Sequence, residues 1–146
     1  MTTTQFVSFL PTLLQGFLTT LLATALSIIT SIACGCLTSL FIAFNNKFLS
    51  AILKIYISIF RNSPLLVQMF LLFYGLPFVG IRLSPLLCGV IAITLNEGAF
   101  IAEIMRGALN SVPKGEIEAA YSLGLTKAKV VFKVMFPLAL KSSVPV

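Results

Sequence analysis

The chain has 146 residues, 58% of them apolar and only 10% charged, with ten basic side chains against four acidic ones. That balance excludes an ordinary water-soluble domain and makes a lipid bilayer the expected solvent. Histidine is absent, no Ser or Cys stands beside a credible base, and no Gly-x-x-x-x-Gly-Lys-Ser/Thr loop is present, which excludes a hydrolytic or nucleotide-binding site and any cofactor held by one.

Residues 1–46 carry no charged side chain. A spanning helix needs about 20 apolar residues, so this run holds one span, expected over 19–44, with an interfacial lead-in before it. The run is too long for a cleaved signal and lacks the basic start of one. Gly16, Thr20, Ala23, Ser27, Ser31, Gly35 and Ser39 recur at steps of three or four. Such a stripe of small residues permits close helix–helix contact, within one bundle or across a dimer. Cys34 and Cys36 point to nearly opposite faces of a helix, and Cys88 lies in another span. Without histidine they complete no zinc site, so all three read as small buried apolar residues.

Residues 48–61 are amphipathic, with Leu49, Ile52, Leu53, Tyr56 and Phe60 on one side and Lys54, Ser58 and Arg61 on the other, next to Lys47. This predicts a helix at the inner membrane surface or the start of a long second span. The second apolar run is expected to cross over 62–80, with Pro64 at a helix start. The third crosses over 84–106. Within it Glu97 falls about 20 Å along the helix, inside a hydrocarbon core about 30 Å thick. A carboxylate there costs about 2.5–3.5 kcal/mol unless it faces a cavity or a partner. Glu97 is therefore either a residue of a solute path or a protonated, internally hydrogen-bonded side chain. Glu103 and Arg106, three residues apart on one face at the inner interface, are expected to form a structural ion pair.

A cytoplasmic loop is expected over 107–141. Pro113 suits the first turn of a helix, and Glu116 and Glu118 lie near its positive end. Ile117, Ala120, Tyr121 and Gly124 share a face. Ala119 and Ala120 keep that helix narrow, so that a partner backbone can approach. Gly124 fits the left-handed position after a helix, followed by Leu125 as in a Schellman ending. Thr126 can cap a second helix, which Pro137 is expected to interrupt by removing the bond to the Lys133 carbonyl. The product is a rigid elbow.

Nine of the ten basic residues fall after the first and third spans, leaving only Arg82 on the other side. The positive-inside rule then puts the N-terminus outside. The net charge of +6 is topology rather than a nucleic-acid footprint, because aromatic residues are not interleaved with the basic ones.

Glu118-Ala119-Ala120, Gly124 and Pro137, with Val134 and Phe136 before the proline, resemble the EAA loop of the permease subunits of binding-protein-dependent ABC importers. Arg61-Asn62-Ser63-Pro64-Leu65-Leu66-Val67-Gln68, Tyr74-Gly75-Leu76-Pro77 and Ala99-Phe100-Ile101-Ala102-Glu103-Ile104-Met105-Arg106-Gly107 are similar to elements of the polar amino-acid branch, with Asn62 where that branch has Gly. The resemblance covers about half the chain. It implies an all-α membrane protein with a partial type I permease fold: three transmembrane helices, an inner-surface helix and a two-helix coupling loop in one transmembrane domain over 1–146. It also implies an inner-membrane permease subunit for polar amino acids, not itself an enzyme. The expected partners are a second permease subunit (the same chain or a paralogue), a pair of ATPase subunits and an extracytoplasmic solute-binding protein, with Glu118, Ala119, Ala120, Gly124 and Pro137 coupling to the ATPase. Members of the branch typically carry further spans after the loop, so the chain reads as truncated at Val146. Another small polar solute, or a fragment or membrane adaptor that engages an ATPase without transporting, are the rival readings.

The topology is directly testable. A reporter fused after Lys141 is expected to read cytoplasm and one inserted near Gly80 the outside. A cytoplasmic signal at Gly80 would overturn the span assignment.

Overall fold

The computed structural model describes residues 3–44 and 47–143; the expected chain end at Pro145–Val146 lies outside them. Regular structure among the described residues is entirely helical. Helix α1 (Thr3–Ala43) is followed by α2 (Lys47–Asn62) and α3 (Leu65–Phe70), which runs on through a π-turn (Leu71–Gly75) and a 3-10 turn (Leu76–Val79). Helix α4 (Pro85–Asn110) leads to α5 (Lys114–Ser122) and α6 (Lys127–Val130), then a second π-turn (Val131–Met135) and α7 (Phe136–Ser143).

Helices α1 and α4 are long and apolar enough to cross a membrane, and a third crossing exists if the pair α2–α3, bent by 106°, counts as one span. The apolar part of α1, Phe9–Ala43, is 35 residues long. At 1.5 Å per residue it measures roughly 50 Å, more than a hydrocarbon core requires. The expected lead-in and span are thus one unbroken helix, with Pro11 inside it. Helix α4 starts where Ser84 accepts a bond from the Leu87 amide (3.3 Å) and Pro85 takes the first position. It runs past the expected end at 106 to Asn110.

The segment expected over 62–80 is a helix that starts after Pro64 and is set at 106° to α2. Pro64 is extended (φ −62°, ψ 134°), and the helix restarts only at Leu65. Proline lacks the N–H that would bond the carbonyl four residues earlier, which is that of Phe60. Two side-chain amides supply the missing donors: Asn96 Nδ2 at 2.8 Å from α4 and Gln68 Nε2 at 3.0 Å from α3. Gln68 Nε2 also reaches the Ser63 carbonyl and hydroxyl (3.2 and 2.7 Å). Tyr56 OH donates to the Leu95 carbonyl at 2.8 Å, one residue before Asn96. The corner between α2 and α3 is fastened to the middle of α4.

Helices α1 and α4 form the main packing contact. The lower part of the small-residue stripe is buried there (Ser27, Ser31, Gly35, Ser39), whereas Gly16 and Thr20 are exposed. The helices approach so closely that a Cβ on Gly35 would stand 2.5 Å from Ile101 Cβ and 2.9 Å from the Gly98 carbonyl oxygen. Cys34 and Cys36 flank this crossing half-buried, and Cys88 is buried elsewhere on α4. All three are free thiols.

Gly35→Ala is expected to destabilise the solubilised chain by about 1–3 kcal/mol, the cost of overpacking a tight contact, read as a lower melting temperature. Gly16→Ala, which meets nothing within 4 Å, is expected to leave it unchanged or raise it.

Candidate coupling hairpin and membrane groove

The charged segment after α4 folds as a two-armed hairpin. Pro113 sits at the cap position, just outside the first turn of α5, with extended backbone (φ −59°, ψ 132°). Glu116 occupies the first turn, where a negative charge suits the helix dipole. The arm ends at Gly124, whose φ of +75° is left-handed. The Leu125 amide bonds the Ala120 carbonyl (3.2 Å) and the Gly124 amide bonds that of Tyr121 (2.9 Å), the two bonds of a Schellman motif. Glycine takes this φ without a Cβ penalty.

Ala120 is buried, 4% exposed, while Ala119, Glu116 and Glu118 are exposed. Ile117 and Tyr121 line a cavity of about 360 Å³ shared with Lys127, Val131 and Met135 and closed by the ends of α1 and α4. Ile117 and Ala120 therefore look inward, Tyr121 lies at the cavity's edge and is 47% exposed, and the rest of the outward surface is Glu116, Glu118, Ala119 and Leu123. Leu123 is 82% exposed at the tip, a large apolar side chain held beside the glycine corner. Periodicity does not mark it, because it lies off the shared face.

The second arm differs from expectation. Thr126 precedes α6 with extended backbone, without a side-chain cap. Pro137 does not end the helix. It is the second residue of α7, reached through the π-turn Val131–Met135, in which the Phe136 amide bonds the Val131 carbonyl. The wider turn carries the chain past a proline ring that would clash in regular α geometry. Pro77 is likewise preceded by the π-turn Leu71–Gly75. Glu118, Ala119, Ala120 and Gly124 thus share one arm and its corner, and Pro137 belongs to the helix returning to α4. There Ala139 packs against Met105 and Leu109.

Two contacts seat the hairpin on α1. Lys127 Nζ donates to the Phe44 carbonyl at the end of α1 (2.9 Å), and the rings of Phe44 and Phe132 lie 5.7 Å apart. A cation on a helix's last carbonyls suits the negative end of its dipole.

Within the spans, Glu97 faces a groove of about 320 Å³ between α1 and α4, lined also by Ser27, Ser31, Ile28 and Ile93. Glu97 is exposed and has no hydrogen bond or ion pair among the described residues. Ser27 and Ser31 are 3% exposed, and their hydroxyl oxygens are without a hydrogen-bond partner. Helical Ser and Thr commonly bond back to the preceding turn, as Thr20 and Ser39 do here. Glu103 receives two bonds from Arg106, Nε at 2.9 Å and Nη2 at 2.7 Å. Arg61, which the sequence did not assign to this pair, comes to 3.6 Å of the same carboxylate.

Long apolar helices with a charged two-helix hairpin seated on their ends define a helical integral-membrane subunit. Residues 31–146 match the family described as "Binding-protein-dependent transport system inner membrane component", and the chain belongs to that family. It is 44% identical over 94 residues to the L-cystine transport system permease protein TcyB of Bacillus subtilis (strain 168), a match covering 64% of this chain and 40% of that protein. It is 36% identical over 122 residues to the L-cystine transport system permease protein TcyL of the same strain, covering 76% and 51%. A crystal structure of an amino acid ABC transporter with histidines superposes with a TM-score of 0.72 at 32% identity, over 97% of this chain and 66% of that one. The chain thus spans about half the length of these curated relatives.

Proposed function

We propose that the chain is a permease subunit of an ABC importer for a small polar amino acid, with its N-terminus outside and its hairpin on the cytoplasmic side. It pairs with a second permease subunit, a pair of ATPases and an external solute-binding protein, and hydrolyses no ATP itself. Family membership and relatives named for cystine and amino-acid transport support the solute class. The observation that carries the coupling role is the hairpin's outward surface: Glu118, Ala119 and the exposed Leu123 beside the left-handed Gly124. An apolar knob on a stiff corner, flanked by carboxylates, suits a groove on a partner. Its second arm is fixed to the end of α1 through Lys127 and to α4 through α7, so force at the corner reaches both long helices. Pro137 contributes by shaping that return rather than by touching the ATPase.

Gly124→Val is expected to be the most damaging single change, since valine at positive φ costs on the order of 1–3 kcal/mol and the corner would reorient. Glu118→Lys is expected to leave the fold intact and reverse a charge at the contact. Both should reduce co-purification of the co-expressed ATPase. Retention of wild-type levels by both would remove the hairpin as the coupling element.

Glu97 is proposed to line the solute path, supported by its unpartnered carboxylate and the two unpartnered hydroxyls in one groove. Together they can receive an ammonium group. Glu97→Gln is expected to cut uptake by about ten-fold or more in the assembled importer at unchanged expression, the loss of a charged partner being worth about 1.5–3 kcal/mol. Unchanged uptake would return Glu97 to a structural role.

A further inference from the structure

A second polar cleft lies at the other side of α4, where α2 approaches it. It has a volume of about 400 Å³ and is lined by Lys54, Ser58, Arg61, Asn62, Glu103 and Arg106. Three cations face one carboxylate. Both oxygens of that carboxylate are already engaged by Arg106. Arg61 keeps a loose contact with it at 3.6 Å and stacks over the Phe100 ring, 5.3 Å from the centroid, which holds the guanidinium in place. Lys54 has no partner among the described residues. The cleft therefore holds more positive charge than its own residues neutralise, with a guanidinium fork set for an oxyanion.

The rest of α2 shows what meets the cleft. Phe48, Ile52, Ile55 and Ile59 follow one another at helical spacing and are all exposed, Phe48 by 78%. The packed face is instead Leu49, Leu53, Tyr56, Ile57 and Phe60, none of them exposed. The helix thus has three faces: one packed on the protein, one bare and apolar, and one cationic around the cleft. An apolar strip alongside a basic one is how a helix lies in a membrane interface, with lipid chains on the first and headgroups at the second.

We propose that the cleft between α2 and α4 binds the phosphate of an anionic phospholipid, its acyl chains lying along Phe48, Ile52, Ile55 and Ile59. Basic pockets between helices at the membrane–water boundary bind such headgroups. Arg61 and Lys54 contact the phosphate, and Glu103 with Arg106 fixes the wall opposite. The site shares no lining residue with the solute path, and Arg106 alone borders both this cleft and the cavity under the hairpin.

The test is native mass spectrometry of the purified 146-residue chain, titrated with phosphatidylglycerol or phosphatidylethanolamine of identical chains. Phosphatidylglycerol is expected to bind about ten-fold tighter. Lys54→Gln should reduce that preference about five-fold, as one cation near an anionic surface does, and Lys54→Arg should retain it. Lys129→Gln, which removes an equal charge on the hairpin, should leave it unchanged. Circular dichroism should read the same helicity in all variants. Equal affinity for the two lipids, an equal loss in Lys129→Gln, or sn-glycerol 3-phosphate binding as tightly as the lipid would each overturn the proposal.

Discussion

The carbonyl of Phe60 is the point on which the arrangement turns. Proline at 64 removes its natural donor, and a bare carbonyl inside a membrane protein costs about 1–3 kcal/mol. Asn96 and Gln68 both bond it, and in doing so they decide where α2 and α3 sit against α4. With that corner fixed, Arg61 in the next position can only fall one to two turns further along α4, over Phe100 and beside Glu103. The cationic cleft follows from how the hydrogen bond left unmet at the proline break is satisfied.

A second constraint is the close approach of α1 and α4 at Gly35. Lipid offers no hydrophobic drive between helices, so contact depends on packing distance, and glycine at the crossing sets that distance. The two helices then present adjacent ends at one side of the bundle. The hairpin is built on that platform, with Lys127 on the last carbonyl of α1, Phe132 against Phe44, and Ala139 between Met105 and Leu109. Pro77 and Pro137 each lie two residues after a π-turn. The chain turns what would be a break into a local widening and keeps its helical direction.

Much of this could be read from the residues. The charge-free run up to 46 called for one span, the third span was expected from 84, one residue before α4 begins, and Gly124 announced its corner. The misreadings share a cause. Periodicity tells which side chains occupy one face but not which neighbour that face meets. Ile117, Ala120 and Tyr121 were grouped on one face, yet Ile117 and Ala120 turn to the bundle while Tyr121 stays exposed at its edge, beside Glu118, Ala119 and Leu123 on the outward surface. Pro137 lost its expected role as a stop because a π-turn is a response of the whole helix that no single residue encodes. Asn96 and Gln68 were visible only as polar residues in apolar runs. Their common target, a backbone carbonyl 36 and 8 residues away in sequence, depends on tertiary position.

The polar groups of the spans divide into two kinds. Tyr56, Asn96 and the amide nitrogen of Gln68 are spent inside the chain. The carboxylate of Glu97 and the hydroxyls of Ser27 and Ser31 have no partner among the described residues, and all three border one groove. A carboxylate at membrane depth costs about 2.5–3.5 kcal/mol, and each buried unpaired hydroxyl adds about 1–3 kcal/mol. Set against a net stability of about 5–15 kcal/mol for a typical domain, three such groups on one groove are a large fraction of what the fold has to spare. An apolar side chain at each position would pack the same helices without that cost. Among the described residues nothing compensates these groups, and the proposed solute would supply their partners. That grouping is the physical ground for the proposed solute path, since at the α2–α3 corner the side-chain donors are spent on backbone carbonyls and only Gln68 Oε1 is left without a partner.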